Sequence, residues 1–445
     1  MSSPATRARL GVSLLFFLNG FVLANLLPRL PEVRAALELP PEAFGLVLAC
    51  MTVGAIGAFA LPAPLIRRFG AAPVAILGTV VIAVLIALAG VVVALGASSA
   101  GEAGVGASGS GMVVGVWVFA ALYAVIGFSD AVVDAAQNVH GLAVETACGR
   151  AVFNFFHAAW SVGSVSGGAL GLGAAAVGIP LPVHLAGAGV LALGLTGWAL
   201  REDRATRSWV SAGAGAGRST VEVPEEAGRH HREPHPPGPE VPRGTPGSGA
   251  SAVGRGGGGA AWGLCAVVVT LGLLGALGED IGMNWSSLFL EQVGGVPVEW
   301  AGAAFVTALG SQFLARLSAD RIQDRWGAVA LVRGGGVFTA VGMGLMMLVG
   351  QPWAVLVGFA LSGFGCATFV PIAYAAAGRL PGFKHGTAVT ITSWVLRIGS
   401  LVSSPTVGFL AAWLGLRWAF LAAFCAGVAA ILLAGRLRFV SDTDR

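Results

Sequence analysis

The chain has 445 residues, of which 56% are hydrophobic and 11% are charged. About a quarter of the residues of soluble domains are charged, so this composition excludes a soluble protein and indicates an integral membrane protein. The net charge of +4 does not call for a nucleic-acid partner, because the arginines lie beside apolar runs. The five cysteines form no CxxC pair, so we expect no disulfide framework, no bound metal and no cofactor.

Twelve long apolar runs follow one another along the chain. Each has about the 20 residues or more that a helix needs to cross a hydrocarbon layer about 30 Å thick. We therefore predict an all-α integral membrane protein with twelve transmembrane helices. Their approximate ranges are 9–30, 43–66, 71–96, 112–138, 151–178, 181–200, 260–290, 297–319, 328–350, 353–378, 385–412 and 417–436.

Basic residues are concentrated in alternate loops between these helices. Positive charge marks the cytoplasmic side of a membrane protein, so we expect both termini in the cytoplasm of a protein of the cell (inner or plasma) membrane. The other loops carry only Arg29, Arg34 and Arg417. The basic set is Arg7, Arg9, Arg67, Arg68, Arg150, Arg201, Arg204, Arg316, Arg321, Arg325, Arg379, Lys384, Arg436 and Arg438.

The runs form two related groups of six. Residues 201–259 are rich in Gly, Pro, Ser and charge, which predicts a disordered cytoplasmic linker between an N-terminal bundle, 1–200, and a C-terminal bundle, 260–445. The sequence RRFGAAPVA at 67–75 resembles DRWGAVALV at 324–332. In membrane proteins built from two such repeats, the ligand site lies between the repeats.

The fourth run contains a row of polar side chains. Asp130, Asp134, Asn138 and Glu145 fall within roughly 80° of one helix face. An acid facing lipid costs about 2.5 kcal/mol or more, so these side chains should face a protein interior or a water-filled cavity. Two aspartates one turn apart repel each other when both are charged, which favours proton binding at Asp130 or Asp134. The alternative is a helix end whose acids are solvated by the cytoplasm.

Further polar side chains lie near the middle of the first and fifth runs. The fifth contains His157 and Ser161 on one face, with Trp160 beside them, and the first contains Asn19. Histidine titrates near neutral pH, so His157 is a candidate for proton transfer or ligand contact. Alternatively, a hydrogen bond fastens it to a neighbouring helix.

Ionisable residues also interrupt the seventh and eleventh runs. Glu279 and Asp280 are placed past the middle of the membrane, where they form an outer gate, a second cation site or a helix end near water. Arg397 falls close to mid-membrane and needs an anionic partner or water. We expect Glu279, Asp280 or an anionic ligand to supply that charge, in a binding site or in a purely structural ion pair.

The turn between the second and third runs of each half carries a motif. ARLSADRIQDRWG at 315–327 resembles the cytoplasmic signature of the major facilitator superfamily, with Asp320, Arg321 and Arg325 in its charged turn. The corresponding LIRRFG at 65–70 has Arg67 where the acid is usual. The resemblance implies that such turns lock one state of the protein through ion pairs, with Glu145 and Arg150 as partners.

Within that superfamily, four segments look like the MosC-like branch, which is related to fucose-type sugar–proton symporters: NGFVLANLLPRLPEV, DAAQNVHGLAVETACGR, HAAWSVGS and GEDIGMNWSSLFL. The resemblance implies two pseudo-symmetric six-helix bundles and secondary transport of a small polar solute by alternating access, coupled to protons. It also implies a monomer in the lipid bilayer. The fourth run lacks the Arg of many drug exporters, and the fifth lacks the Gly-Pro of the antiporter signature, which weakens an export function.

These arguments assign a role to each polar position. Proton coupling is assigned to Asp130, Asp134 and His157, and solute binding to Asn19, Asn138, Trp160, Ser161 and Arg397. Gating or ion pairing is assigned to Glu145, Arg150, Glu279, Asp280, Asp320, Arg321 and Arg325. An efflux antiporter for drugs or metabolites and a non-transporting sensor that signals through 201–259 remain alternatives. The sequence has no HExxH or GxSxG motif, so an enzyme is not expected.

Overall fold

A computed structural model describes residues 3–102, 108–149, 152–219, 257–380, 383 and 387–438. Within these ranges the chain forms helices and short turns, and contains no strand. Proline begins several of the helices, because the first helical position needs no backbone N–H donor. The helices of the N-terminal half are α1 (Pro4–Ala24), α2 (Leu30–Ala36), α3 (Pro41–Gly57), α4 (Pro62–Phe69), α5 (Ala71–Glu102), α6 (Ser108–Cys148), α7 (Phe153–Ala176) and α8 (Leu181–Ser219).

The described part of the C-terminal half begins with α9 and contains nine helices. A π-helical turn, Ile281–Trp285, follows α9 directly, and a 3-10 turn, Gly435–Leu437, ends the described part of this half. The helices are α9 (Gly257–Asp280), α10 (Ser286–Gln292), α11 (Val298–Ala301), α12 (Ala303–Val349), α13 (Pro352–Cys366), α14 (Phe369–Gly378), α15 (Thr387–Leu414), α16 (Leu416–Ala419) and α17 (Leu421–Ala434).

Helix α12 covers two of the sequence-predicted spans. Its backbone leaves helical geometry at Gly327, with φ 80° and ψ 164°. A positive φ of this kind is accessible to glycine at little cost. The break therefore separates the predicted spans 297–319 and 328–350, and it falls inside the DRWG motif.

Ten segments of the described chain are long and apolar enough to cross a membrane, when the bent pair α3 and α4 counts as one span with a 55° bend. Helix α7 has 24 residues but is rich in glycine and serine, and the first part of α12 carries charged side chains. Both fall outside that set because of their polarity. These two segments correspond to the fifth and eighth predicted spans. The total of twelve transmembrane helices therefore stays a prediction.

Helix α8 extends beyond the sixth predicted span, to Ser219. The first part of the predicted linker 201–259 is therefore helical, which corrects the expectation of disorder for 201–219; residues 220–256 lie outside the described chain. The cause is side-chain burial: Glu202 accepts a hydrogen bond from Arg7 Nε at 2.7 Å, and Asp203 lies 3.7 Å from His140. These contacts fasten the extension of α8 to α1 and α6.

Glycines allow α1 and α7 to pack backbone against backbone. A Cβ on Gly163 or Gly167 would meet the carbonyl oxygen of Phe17 or Phe21, and a Cβ on Gly20 would meet the backbone of α7. Small residues permit such close approach between membrane helices. The approach brings the polar residue of α1, Asn19, against the face of α7.

The two halves meet along two pairs of helices, α3 with α15 and α7 with α12. Gly45 of α3 lies against the carbonyl of Ser404, and Gly408 of α15 lies against the carbonyl of Pro41. At the same end of the molecule, α2 contacts α10 and α11. The surface between the halves therefore contains the polar side chains of α6, α7 and α9.

Candidate functional site

Two adjoining cavities lie between the halves, and Asp134 and Trp160 line both of them. The larger has a volume of about 750 Å³ and the smaller about 220 Å³. The larger is also lined by Phe16, Gln137, His157, Ser161, Phe313, Arg316 and Pro371. The smaller is also lined by Asn19, Leu27, Met51, Asp130, Ser164, Met283 and Phe305.

A hydrogen-bonded chain of three side chains crosses the smaller cavity. Trp160 Nε1 donates to Asn19 Oδ1 at 3.0 Å, and Asn19 Nδ2 donates to Asp130 Oδ1 at 3.3 Å. Both ends of the Asn19 amide are therefore engaged, which fixes its orientation. All three residues were selected from the sequence, and the structure brings them together from α7, α1 and α6.

The acids of α6 lie at the centre of the membrane-spanning region. Asp130 is at the middle of the apolar segment Val113–Cys148, and Asp134 follows one turn later within its electrostatic range. Asn138 Nδ2 donates to Asp134 Oδ1 at 3.1 Å and to the Asp134 carbonyl at 2.8 Å. Asp134 thus engages the amide nitrogen of Asn138. The amide oxygen of Asn138 remains as a hydrogen-bond acceptor for a ligand.

The polar stripe of α7 faces the larger cavity, as its spacing predicts. His157 is exposed there and lies within electrostatic range of Asp134. The edge of its ring meets the Phe16 ring, with centroids 5.2 Å apart. Ser161 donates a hydrogen bond to the carbonyl of His157 at 3.2 Å. An imidazole therefore faces a carboxylate across a space that a small polar molecule can enter.

The ion pair predicted for Glu279 has a different partner. Arg316 Nη2 lies 2.6 Å from Glu279 Oε1, so the expected pairing of Arg397 with Glu279 is wrong. The positive charge of Arg316 predicts a cytoplasmic loop position for this residue. In the structure α12 continues past it to Gly327, about 16 Å further along the helix, so Arg316 faces the cavity instead.

The expected pairing of Arg397 with Asp280 is also wrong. Asp280 accepts hydrogen bonds from Ser403 and Ser404, both at 2.8 Å, and from Asn284 at 2.7 Å. These neutral donors come from α15 and from the π-helical turn. Asp280 has no ion pair within the described part of the chain.

Arg397 instead faces the acids of the other half. It is exposed on α15 and lies within electrostatic range of Asp134. It makes no hydrogen bond or ion pair to any described residue. A cation so placed is available to an anionic group that enters between the halves.

The gating pair proposed for α6 is only partly described. Glu145 accepts a hydrogen bond from the backbone N–H of Val152 at 2.7 Å, which fastens the end of α6 to the beginning of α7. Arg150 lies outside the described residues, so its pairing with Glu145 stays a prediction.

The charged turn of the C-terminal half is described in part as well. Arg321 and Arg325 are exposed, and the Arg325 guanidinium stacks over the Trp326 ring at 5.6 Å. The side chain of Asp320 lies outside the described residues. The role of this turn as a lock therefore stays a prediction.

The halves are closed together at the end remote from the arginine-rich turns. The Phe44 ring of α3 meets the edge of Trp285, with centroids 5.3 Å apart, and Pro28 packs against Gly302. Arg34 lies within electrostatic range of Glu291. The larger cavity thus lies on the arginine-rich side of this closed end.

Some residues of the site were missed by the sequence analysis. Arg316 and Gln137 line the larger cavity. Tyr123 is fully buried and its hydroxyl has no hydrogen-bond partner among the described residues. The signal was present: Tyr123 is one of only two tyrosines, and it precedes Asp130 by seven residues, which places both on one helix face.

The comparisons with known proteins agree with this architecture. The model of the family described as Major Facilitator Superfamily matches residues 260–445. The "Uncharacterized transporter y4wD" of Sinorhizobium fredii is 27% identical over 426 residues, covering 95% of this chain and 96% of that protein. The "Membrane protein MosC" of Rhizobium meliloti is 30% identical over 145 residues, which are 33% of this chain and 36% of that protein.

Solved structures share the fold at low sequence identity. The nucleoside transporter NupG superposes with a TM-score of 0.62 and 14% identity, covering 97% of this chain and 98% of that chain. A D-xylose-proton symporter superposes with a TM-score of 0.60 and 14% identity, covering 97% of this chain and 96% of that chain.

Two helical halves with a polar site between them, together with the apolar helices, indicate a multi-pass membrane protein that is similar to known transporters. The C-terminal half of the chain thus matches the model of the Major Facilitator Superfamily, and the whole chain is similar in sequence to a curated transporter. MosC is among its relatives, and the link to the fucose-type branch stays a prediction.

Proposed function

We propose that the protein moves a small polar solute across the cell membrane by alternating access, and that this movement is coupled to protons. The observation that carries the proposal is the chain Trp160–Asn19–Asp130, which joins a mid-membrane carboxylate to the wall of a cavity between the halves. The side-chain amide of Asn19 contacts both the candidate proton site, Asp130, and the candidate solute site, Trp160.

Protons would bind at Asp130 and Asp134. The two carboxyl groups interact electrostatically, so charging one opposes charging the other. A proton on either removes a charge from a region where isolated charges are costly. Closing the cavity over the pair then costs less, which couples proton binding to the change of state. His157, across from Asp134, would exchange the proton with the larger cavity.

The solute would bind where the two cavities meet. Trp160 offers an apolar ring face, Ser161 a hydroxyl group and Asn138 an amide oxygen. Arg397 lines neither cavity, but it has no ion pair with the described residues and would offer its charge to an anionic group of the solute. The volume of about 750 Å³ lies within the range of small-molecule sites, roughly 300–1,000 Å³.

The structure corresponds in this proposal to the inward-facing state. The arginine-rich turns mark the cytoplasmic side, and the larger cavity lies toward them. The contacts of Phe44 with Trp285 and of Pro28 with Gly302 close the outer side. Transport would require these contacts to open while the cytoplasmic cavity closes.

Purified protein in liposomes would test this function. Candidate solutes are first screened for stabilisation of the folded protein, and a hit is then tested for solute-driven proton flux with an enclosed pH dye. We expect Asp134→Asn to abolish the proton flux, while Glu299→Gln, at an exposed acid on the outer side, leaves it unchanged. The sign of the flux distinguishes uptake with protons from exchange.

Two outcomes would contradict the proposal. Solute transport that persists without proton flux in the wild type would remove the coupling and leave the acids of α6 a structural role. Solute binding without any transport would favour a sensor.

A further inference from the structure

The C-terminal half contains a carboxyl group that the proposed coupling does not use. Asp280 is the last residue of α9, immediately before the π-helical turn. Its oxygens accept hydrogen bonds from three neutral side chains, Ser403, Ser404 and Asn284. The residue lies about 5 Å past the middle of the apolar segment Ala261–Gln292, toward the outer side.

No described positive charge is paired with this carboxyl group. Its neighbour Glu279 is neutralised by Arg316 of α12, so that arginine is already engaged. Arg397 of α15 makes no ion pair with it. The other elements packed against α9 carry Cys366 of α13, Tyr374 of α14, Cys425 of α17 and Arg436 of the 3-10 turn. Among the described residues, none of these groups forms an ion pair with Asp280.

The N-terminal half faces the same carboxyl group with a tyrosine. Tyr123 of α6 is 1% exposed, and its hydroxyl has no hydrogen-bond partner among the described residues. It lies within electrostatic range of both Asp280 and Asp130. A buried hydroxyl without a partner is uncommon in folded proteins. Here it lies between the mid-membrane carboxyl groups of the two halves.

Asp280 is separated from the space that a solute can occupy. It lines neither of the two central cavities, although Met283 of the adjacent π-helical turn lines the smaller one. Met283 thus places the π-helical turn, but not the carboxyl group of Asp280, at the cavity wall. The surroundings of Asp280 therefore suit a coupling ion better than a solute.

A hydrogen-bonded path leads from Asp280 to the outer closure. Ser404 donates to Asp280 and accepts from Trp285 Nε1 at 3.3 Å, and the Trp285 ring meets Phe44 of the other half. Trp285 is fully buried and ends the π-helical turn. Single π-helical turns within α-helices are frequent at functional sites.

We propose that Asp280 is a second proton-binding site, which acts on the outer closure through Ser404 and Trp285. One proton adds to one carboxylate oxygen and forms an O–H group. When that group at Asp280 Oδ2 donates to the Ser404 oxygen, the Ser404 hydrogen turns to the other carboxyl oxygen, Oδ1, at 3.1 Å. The Ser404 oxygen then accepts from both Asp280 and Trp285 Nε1. The bond that positions Trp285 against Phe44 is then weakened. The role in transport rests on the proposed proton coupling, but proton binding itself does not.

Infrared spectroscopy of the full-length protein in liposomes tests proton binding without any solute. During titration from acidic to alkaline pH, we expect the wild type to lose the carboxylic-acid bands of its protonated carboxyl groups. Asp280→Asn should lack one of these bands, and Asp130→Asn should lack a different one. Glu299→Gln should change neither band.

Hydrogen–deuterium exchange tests the path to the outer closure. Asp280→Asn resembles the protonated state in charge, so we expect faster exchange in residues 281–290 and 41–48 than in the wild type. Ser404→Ala should produce the same change while retaining the Asp280 band. Unchanged exchange in both variants, with both proteins folded, would contradict the path.

The outcomes distinguish this inference from the proposed function. If Asp280→Asn removes no band at any pH, Asp280 is not a proton site, even when the Asp130 band and solute-driven proton flux are intact. If sodium, but not choline, shifts the carboxylate bands of Asp280, the site binds sodium and the proton assignment is wrong. If the wild type shows the Asp280 band but no band that Asp130→Asn or Asp134→Asn removes, the proposed coupling fails and the Asp280 site remains.

Discussion

Arg316 of α12 and Glu279 of α9 form an ion pair, with Nη2 and Oε1 2.6 Å apart, at the wall of the larger cavity. Both side chains are partly exposed. The contribution of the pair to stability should therefore exceed that of a surface ion pair, about 0–1 kcal/mol, and fall below that of a buried one. Breaking a buried pair costs about 3–5 kcal/mol, because one charge is left without compensation.

The first prediction concerns the stability of this pair. Arg316→Gln should lower the free energy of unfolding by about 1–3 kcal/mol, because Glu279 is left without its cation. The double variant Arg316→Gln/Glu279→Gln should recover most of that loss. Thermal unfolding of the single and double variants in detergent measures the coupling. Losses that simply add would show that the two charges act independently.

A second prediction concerns the indole nitrogen of Trp160. Trp160→Phe keeps an aromatic ring but removes the donor to Asn19. This bond orients Trp160 in the cavity wall, and one hydrogen bond contributes about 1 kcal/mol. Its loss should therefore weaken solute binding about fivefold and leave the fold intact. Solute-induced stabilisation of the purified variant provides the measurement. Trp262→Phe, at an exposed indole on α9, is the control, and an equal effect in both variants would contradict the site.

A third prediction concerns the packing of α1 against α7. Gly163→Ala places a methyl group where the carbonyl oxygen of Phe17 lies. Overpacking of this kind costs about 1–3 kcal/mol, and it should also separate Asn19 from Trp160. We expect a lower melting temperature together with weaker solute binding. Gly197→Ala is the matched control, because nothing lies within 4 Å of its added Cβ.

A fourth prediction concerns the charges that face each other at the outer closure. Arg34 of α2 and Glu291 of α10 belong to opposite halves and lie within electrostatic range. Glu291→Gln should therefore favour the outward-facing state. Spin-label distances between the outer ends of α2 and α11 should lengthen in this variant, and the charge-exchanged variant Arg34→Glu/Glu291→Arg should restore them. Unchanged distances would mean that apolar contacts alone close this end.

Part of the candidate site could be predicted from the sequence because polar residues are rare in its apolar runs. Asn19, Asp130 and Trp160 each stand out in a long hydrophobic segment, and the structure joins them by hydrogen bonds. Helical periodicity could not predict which partner each of these residues contacts. Periodicity gives the face of a helix but not the neighbour that the face contacts.

The errors arose where a helix continues past the expected end of a span. Arg316 was assigned to a loop because basic residues mark the cytoplasmic side, yet α12 continues to Gly327 and places it against Glu279. Likewise, α8 continues to Ser219 because Glu202 and Asp203 find partners on α1 and α6. Charge indicates which side of the membrane a residue is on, but tertiary contacts decide whether the residue remains helical.

The glycine contacts between α1 and α7 have a mechanical consequence. With their backbones touching at Gly20, Gly163 and Gly167, the two helices have little freedom to slide and should tilt as one rigid body. Among the described side chains, Asn19 joins this body to Asp130 of α6 through a single hydrogen bond of 3.3 Å. A proton arriving at Asp130 would therefore act on the bond that connects this rigid body to α6 at the smaller cavity.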